Sequence, residues 1–274
     1  MTGTTPTPGT YSSSLPTPRP HLGHAVASEW TKMISVRSTL WTLGSLVALV
    51  VGIGTIAVVQ TRTIDYTAMS FTGPALFGLM IGQVAVIVLG VLTISSEYGT
   101  GLIRTTFTAA PERLRVLTAK YLVFGVLAFC TVLASVAFVG FSAALVHNGP
   151  QSGAHGWGEW VGAVAGSFYV TLLGVLSLAV GALVRHSAGG IAVMLGVVTL
   201  PPVLGGIATA WPATEALGTT VLRYNAPVAL FQLFGIQDSG ITPMPSDFSQ
   251  VLLLTAVTAG AVAASYVVVG RRDV

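Results

Sequence analysis

The chain has 274 residues, of which 53% are hydrophobic and only 8% charged, with a mean hydropathy of +0.81. A soluble domain carries roughly 25% charged residues to cover its core, so this composition excludes a water-facing shell and turns much of the surface toward lipid. The net charge of +3 raises the question of a nucleic-acid partner, but the charges fall in the gaps between apolar runs, which argues against one.

Residues 1–20 are rich in Thr, Pro and Ser, and Pro6, Pro8, Pro16, Pro18 and Pro20 prevent a helix, so a disordered tail is expected. A secretory signal needs an early basic region followed directly by an apolar one. The first apolar stretch begins near Leu40, so no cleaved signal is expected. In residues 21–39, Val26, Trp30, Met33 and Ile34 share one helical face, while Glu29 and Lys32 lie off that stripe and three residues apart, close enough to interact. With Arg37 nearby, the pattern predicts an amphipathic helix lying on the cytoplasmic leaflet; a cytosolic extension of the first membrane helix is the plainer alternative.

Six runs, Leu40–Val59, Gly73–Ile94, Tyr121–Val146, Val161–Val184, Ala188–Ala210 and Val251–Val269, each approach or exceed the roughly 20 apolar residues needed to cross the hydrocarbon core. None contains Lys, Arg, Asp or Glu, and the strongest polar group inside them is the amide of Gln83. Backbone groups in lipid must bond within their own segment, so residues 40–274 are expected to form an all-α domain of six transmembrane helices. The polar–apolar alternation of a membrane β-barrel is missing. The only cysteine, Cys130, lies inside the third run, so no intrachain disulfide is possible.

Six spans put both ends on one side. Arg19, Lys32, Arg37, Arg104, Arg113, Arg115, Lys120, Arg185, Arg271 and Arg272 fall there, against only Arg62 and Arg223 on the other. The positive-inside rule makes the first side cytoplasmic, with both termini inside and the protein in a cell inner (plasma) membrane. Two connections are long: a cytoplasmic one, residues 95–120, and an external one, residues 211–250. In the first, SSEYGTGLIRTTFTAAPERLRVLTAK, Gly99 and Gly101 permit a sharp turn. Leu102, Ile103, Thr106 and Phe107 then cluster on a short helix, which Ala110-Pro111 ends. The expected product is a helix parallel to the membrane beneath two spans.

Two segments and the order of parts resemble the membrane (permease) subunits of type-2 ATP-binding-cassette exporters, particularly short actinobacterial ones. The segments are SEWTKMISVRSTLW and the loop just quoted, in which Glu97, Tyr98, Gly99 and Thr100 match the family's acidic-x-Gly-Thr element. The resemblance covers residues 23–274. It implies that two such subunits associate and that each docks a cytosolic ATPase through its amphipathic helix and coupling loop. Trp30, Lys32 and Arg37 on the first, and Glu97, Tyr98, Gly99, Thr100 and Arg104 on the second, inherit that contact, with Glu97 helping to seat the ATPase. External re-entrant half-helices would map onto Leu222–Gly235, where Pro227 interrupts the segment.

The residues themselves support the need for a separate motor. A phosphate-binding loop requires Gly-Lys followed by Ser or Thr, and the two lysines, Lys32 and Lys120, follow Thr31 and Ala119. No catalytic site or cofactor is therefore expected in this chain; Mg-ATP would bind the partner. His147 and His155, near Glu159, lack ligand spacing and are read as loop residues rather than a metal site. Gly78-x-x-x-Gly82 and Gly162-x-x-x-Gly166 have the spacing of close helix contacts, within or between subunits. Gln83 is a candidate for lining a pathway or for an interhelical hydrogen bond. The resulting expectation is an exporter subunit for a hydrophobic or amphipathic substrate such as a drug, lipid or peptide. The alternative is a non-transporting membrane anchor or sensor subunit, and a channel or ion-coupled carrier ranks last because the spans lack ionisable groups.

Overall fold

A computed structural model describes residues 21–63, 70–101, 113–147, 156–235 and 248–271. Among these, the regular elements are all helical: α1 (Leu22–Ser35), α2 (Arg37–Gln60), α3 (Gly73–Thr100), α4 (Arg113–Val146), α5 (Trp157–Val184), α6 (Ser187–Ala208), α7 (Glu215–Arg223), α8 (Ala226–Leu233) and α9 (Ser249–Arg271). Six of them, α2 to α6 and α9, are long and apolar enough to cross a membrane. The chain is an all-α, multi-pass membrane protein.

Glycine decides how close the spans come. At Gly78 an added Cβ would sit 2.6 Å from Cα of Val50, and at Gly82 it would sit 2.9 Å from the Val50 side chain, so both residues face α2 of the same chain. A Cβ on Gly90 would collide with the carbonyl oxygen of Gly174, which brings the backbones of α3 and α5 together. Gly162 and Gly166 meet the Leu233 carbonyl and the Phe234 ring at the end of α8. Both glycine pairs singled out by spacing thus serve contacts within this chain. The most buried spans are α3 and α5, whereas α6 and α9 turn mostly outward.

The spans run further at one end than hydropathy alone sets them. α3 continues through Ser95, Ser96 and Glu97 to Thr100, and α4 starts at Arg113, two turns before Tyr121. Much of the expected 95–120 loop is therefore helix, because paired polar residues can extend a span beyond its apolar core. Gly99 is helical; the change of direction falls on Gly101, whose φ of 73° suits glycine. The expected short helix beyond it lies outside the described residues, as do the tail, Arg104 and His155.

In the 211–250 connection, α7 and α8 replace a single interrupted segment. Asn225 caps α8 by accepting a hydrogen bond from Val228 N at 3.0 Å, and Pro227 sits in the first turn, where its missing N–H costs nothing. The expected interruption therefore falls at Tyr224–Asn225, and Pro227 opens the second helix. Ala226, Val228, Ala229, Leu230 and Phe234 are buried, and the Phe234 carbonyl accepts from Ser70 Oγ at 2.9 Å. At the same end, Glu159 accepts from Phe71 N at 3.0 Å, while His147 bonds the Thr61 carbonyl at 3.1 Å through Nε2. His147 is thus a structural link, and no metal-holding group occurs among the described residues.

The contact at Gly90 has a direct test. Gly90→Ala is expected to lower stability by about 1–3 kcal/mol through overpacking, read as a lower thermal unfolding midpoint in detergent. Gly206→Ala, where a Cβ meets nothing within 4 Å, should leave the midpoint in place. Equal midpoints for the two variants would refute the α3–α5 approach.

Candidate functional site

At the end of the bundle that holds Arg37 and Arg271, four charged residues are drawn together. Lys120, two turns into α4, is buried with its side chain 3% exposed. Its Nζ donates to Glu29 Oε2 of α1 at 2.6 Å, to Glu97 Oε1 of α3 at 2.8 Å and to the Thr93 carbonyl at 3.4 Å. Three acceptors match the three protons of an ammonium group. Lys32, one helical turn after Glu29, donates to Glu29 Oε1 at 2.8 Å and to Glu97 Oε1 at 3.4 Å. Two lysines and two glutamates make an electrically neutral quartet that ties α1, α3 and α4 together. It uses both lysines of the chain.

Location explains the arrangement. Glu29 lies on the side of α1 that meets the bundle, next to buried Met33. An isolated carboxylate there would lose its hydration with nothing in return. Burial pushes the Glu29 carboxyl upward, but Lys120 above all, with Lys32, outweighs this and holds it below the ordinary carboxylate range. For Lys32, burial acts to lower the pKa, and the bonds to Glu29 and Glu97 overcome it, raising the amine above its ordinary range. Both shifts favour the charged forms of Glu29 and Lys32.

The apolar stripe of α1 is divided between the bundle and the outside. Val26 and Met33 turn inward, but Trp30 is 43% and Ile34 45% exposed, and their place against the bundle is taken by Glu29 and Lys32. The ion pair between Glu29 and Lys32 forms as their spacing indicates. Arg37 is exposed at the start of α2. Tyr98 is half-buried, Gly99 and Thr100 are exposed in the last turn of α3, and Thr100 Oγ1 donates to the Ser96 carbonyl. Of the residues singled out for coupling, Lys32 and Glu97 share one cluster, Tyr98 follows it, and Trp30 and Arg37 lie outside it. Gln83 is buried, and its Nε2 bonds the Met80 carbonyl of its own helix at 2.8 Å rather than a neighbouring helix.

Sequence reasoning passed over Glu29 and Lys120 as partners. The signal available was that both lysines of the chain fall at the end that also holds Glu29 and Glu97. Next to the quartet, Tyr121 and Ser265 share a hydrogen bond of 2.8 Å, and Thr118 and Tyr266 one of 2.7 Å. These bonds fasten α9, otherwise largely exposed, to α4. Comparison with protein-family models and with curated protein sequences finds no match.

Removing one partner of a buried ion pair strands the other. Lys120→Met is therefore expected to cost about 3–5 kcal/mol. The double variant Glu29→Gln/Lys120→Met should cost less than the two single changes added together, by about 0.5–3 kcal/mol. Strict additivity in chemical unfolding would show that the two groups do not interact.

The pH dependence has a definite sign. Glu29, with its pKa depressed, contributes stability that is complete above the ordinary carboxylate range and is lost as pH falls through the folded value, below about pH 4. Lys32, with its pKa raised, contributes stability that is complete below the ordinary lysine range and is lost as pH rises through its folded value, above about pH 10.5. Thermal midpoints are expected to be flat with respect to Glu29 and Lys32 between those limits, and Glu29→Gln should weaken the acid-side fall.

Proposed function

We propose that this chain is the membrane subunit of an ATP-driven exporter, working as a pair with a second copy or a homologous permease and powered by a separate cytosolic ATPase. The observation that carries the reading is the buried quartet. It joins an amphipathic N-terminal helix to the end of α3, where the Glu97-Tyr98-Gly99-Thr100 element leads into the coupling segment. A push delivered to the exposed side of α1, or to the chain beyond Gly101, would reach α3 and α4 through the same four charges. Because α3 is packed backbone to backbone on α5, movement at this end would be carried into the most buried pair of spans.

The lysine and arginine asymmetry supports placing this end in the cytoplasm of a plasma membrane, with both termini inside. Apolar runs free of Lys, Arg, Asp and Glu along the spans favour a hydrophobic or amphipathic substrate such as a drug, lipid or peptide. The chain lacks a Gly-Lys-Ser/Thr phosphate loop, so Mg-ATP belongs to the partner.

The test is purification of the native assembly in mild detergent. A nucleotide-hydrolysing subunit should accompany the chain. Trp30→Ala, which alters an exposed side chain, should reduce its recovery severalfold without changing helical content. Recovery of the chain with no such companion, and unchanged export of hydrophobic compounds on its deletion, would overturn the reading in favour of a non-transporting anchor or sensor subunit.

A further inference from the structure

α5 ends at Arg185, the one non-glycine residue with positive φ (57°) among the described residues. This left-handed cap turns the chain into α6 and sets the Arg185 guanidinium 5.1 Å from the centre of the Tyr98 ring. Two of its donors, Nε and Nη2, are buried and have no hydrogen-bond partner, and the Tyr98 hydroxyl beside them is buried and unpartnered as well. An arginine cannot shed its proton, and buried polar groups without partners are rare enough to call for one.

Local charge sharpens the point. Glu29 and Glu97 are balanced by Lys32 and Lys120, and none of these ion pairs includes Arg185. The guanidinium is therefore one positive charge in excess. The free Nε and Nη2 lie on the same edge of the guanidinium plane, the fork that takes two oxygens of one oxyanion in parallel bonds. α6 begins two residues later, and its N-terminal end adds positive potential. Arg185 directly follows the last residue of a membrane span, the depth at which lipid headgroups lie.

We propose that Arg185 and Tyr98 form a binding site for a phosphate oxyanion, supplied by the headgroup of an acidic membrane lipid or by soluble phosphate. The Arg185 fork holds two oxygens and the Tyr98 hydroxyl donates to the anion. The site is independent of the transport reading, since it needs only the membrane span and the unpartnered donors.

The experiment is native mass spectrometry of the detergent-purified full chain, equilibrated with phosphatidylglycerol or phosphatidylcholine, with and without inorganic phosphate. The wild type and Arg271→Gln, which removes an exposed arginine at the same end, should retain phosphatidylglycerol in preference to phosphatidylcholine. Arg185→Gln should weaken retention about tenfold or more, the loss of a charge-assisted bidentate contact. Tyr98→Phe should weaken it less, and Arg185→Lys, which keeps the charge without the fork, should fall between. Displacement of the lipid by inorganic phosphate identifies soluble phosphate as a competing ligand of the same site; resistance to it assigns the site to lipid. Should Arg185→Gln fail to fold by circular dichroism, Arg185→Lys and Tyr98→Phe carry the comparison. Retention of both ligands by all three variants at the wild-type level would overturn the proposal.

Discussion

One ammonium group removed from water organises an entire end of this molecule. Lys120 Nζ reaches carboxylates on two other helices, Glu29 on α1 and Glu97 on α3, and a backbone carbonyl completes its coordination. Each helix brings a charge that the low-dielectric setting would reject alone. α3 and α4 are consequently bound by necessity as much as by attraction, since withdrawing either leaves unbalanced charge, while α1 brings a glutamate and a lysine that bond to both. Such an arrangement specifies register. Sliding α1 by one residue would carry Glu29 away from Lys120, so the N-terminal helix has one position against the bundle.

Further from this end the structure uses a different principle. In lipid the hydrophobic effect supplies no force between spans, and van der Waals contact between closely approaching backbones takes its place. Gly78 against Val50 and Gly90 against Gly174 are the points where α3 gains that proximity to α2 and α5. The same helix therefore carries a charged clamp at one end and glycine contacts along its length. A displacement at Glu97 has little compliance to absorb it, because interiors packed this closely shift as units.

Hydropathy made the spans legible, since roughly 20 uncharged apolar residues have few other fates. Their ends were harder to read. Ser95 to Thr100 and Arg113 to Lys120 resemble connector by composition, yet both are helix, because Lys120 and Glu97 neutralise one another across the bundle. That compensation is a long-range fact, and a single sequence reveals only the local pair Glu29 and Lys32. Pro227 marks the interruption in the Leu222–Gly235 segment: proline disrupts a helix interior but suits its first turn, so the break falls at Tyr224–Asn225, where Asn225 caps the next helix. Glycine spacing correctly marked close contacts at Gly78 and Gly82, but spacing cannot say which helix fills the gap.

The orientation of α1 brings these points together. In a water-soluble amphipathic helix the apolar stripe is buried and charge faces out. Here Glu29 is buried and Lys32 half-buried, while Trp30 and Ile34 face away from the bundle. Hydrophobicity alone would roll the helix the other way, taking the tryptophan inward and freeing the carboxylate to water. What opposes this is the loss of the Glu29–Lys120 ion pair, which would leave the buried Lys120 with Glu97 and the Thr93 carbonyl as its remaining acceptors. The quartet thus commits an aromatic and an aliphatic side chain to the outside of the bundle. A helix fixed in this roll presents the same apolar face at all times, which an interfacial anchor or a docking element requires and a freely rotating segment would not provide.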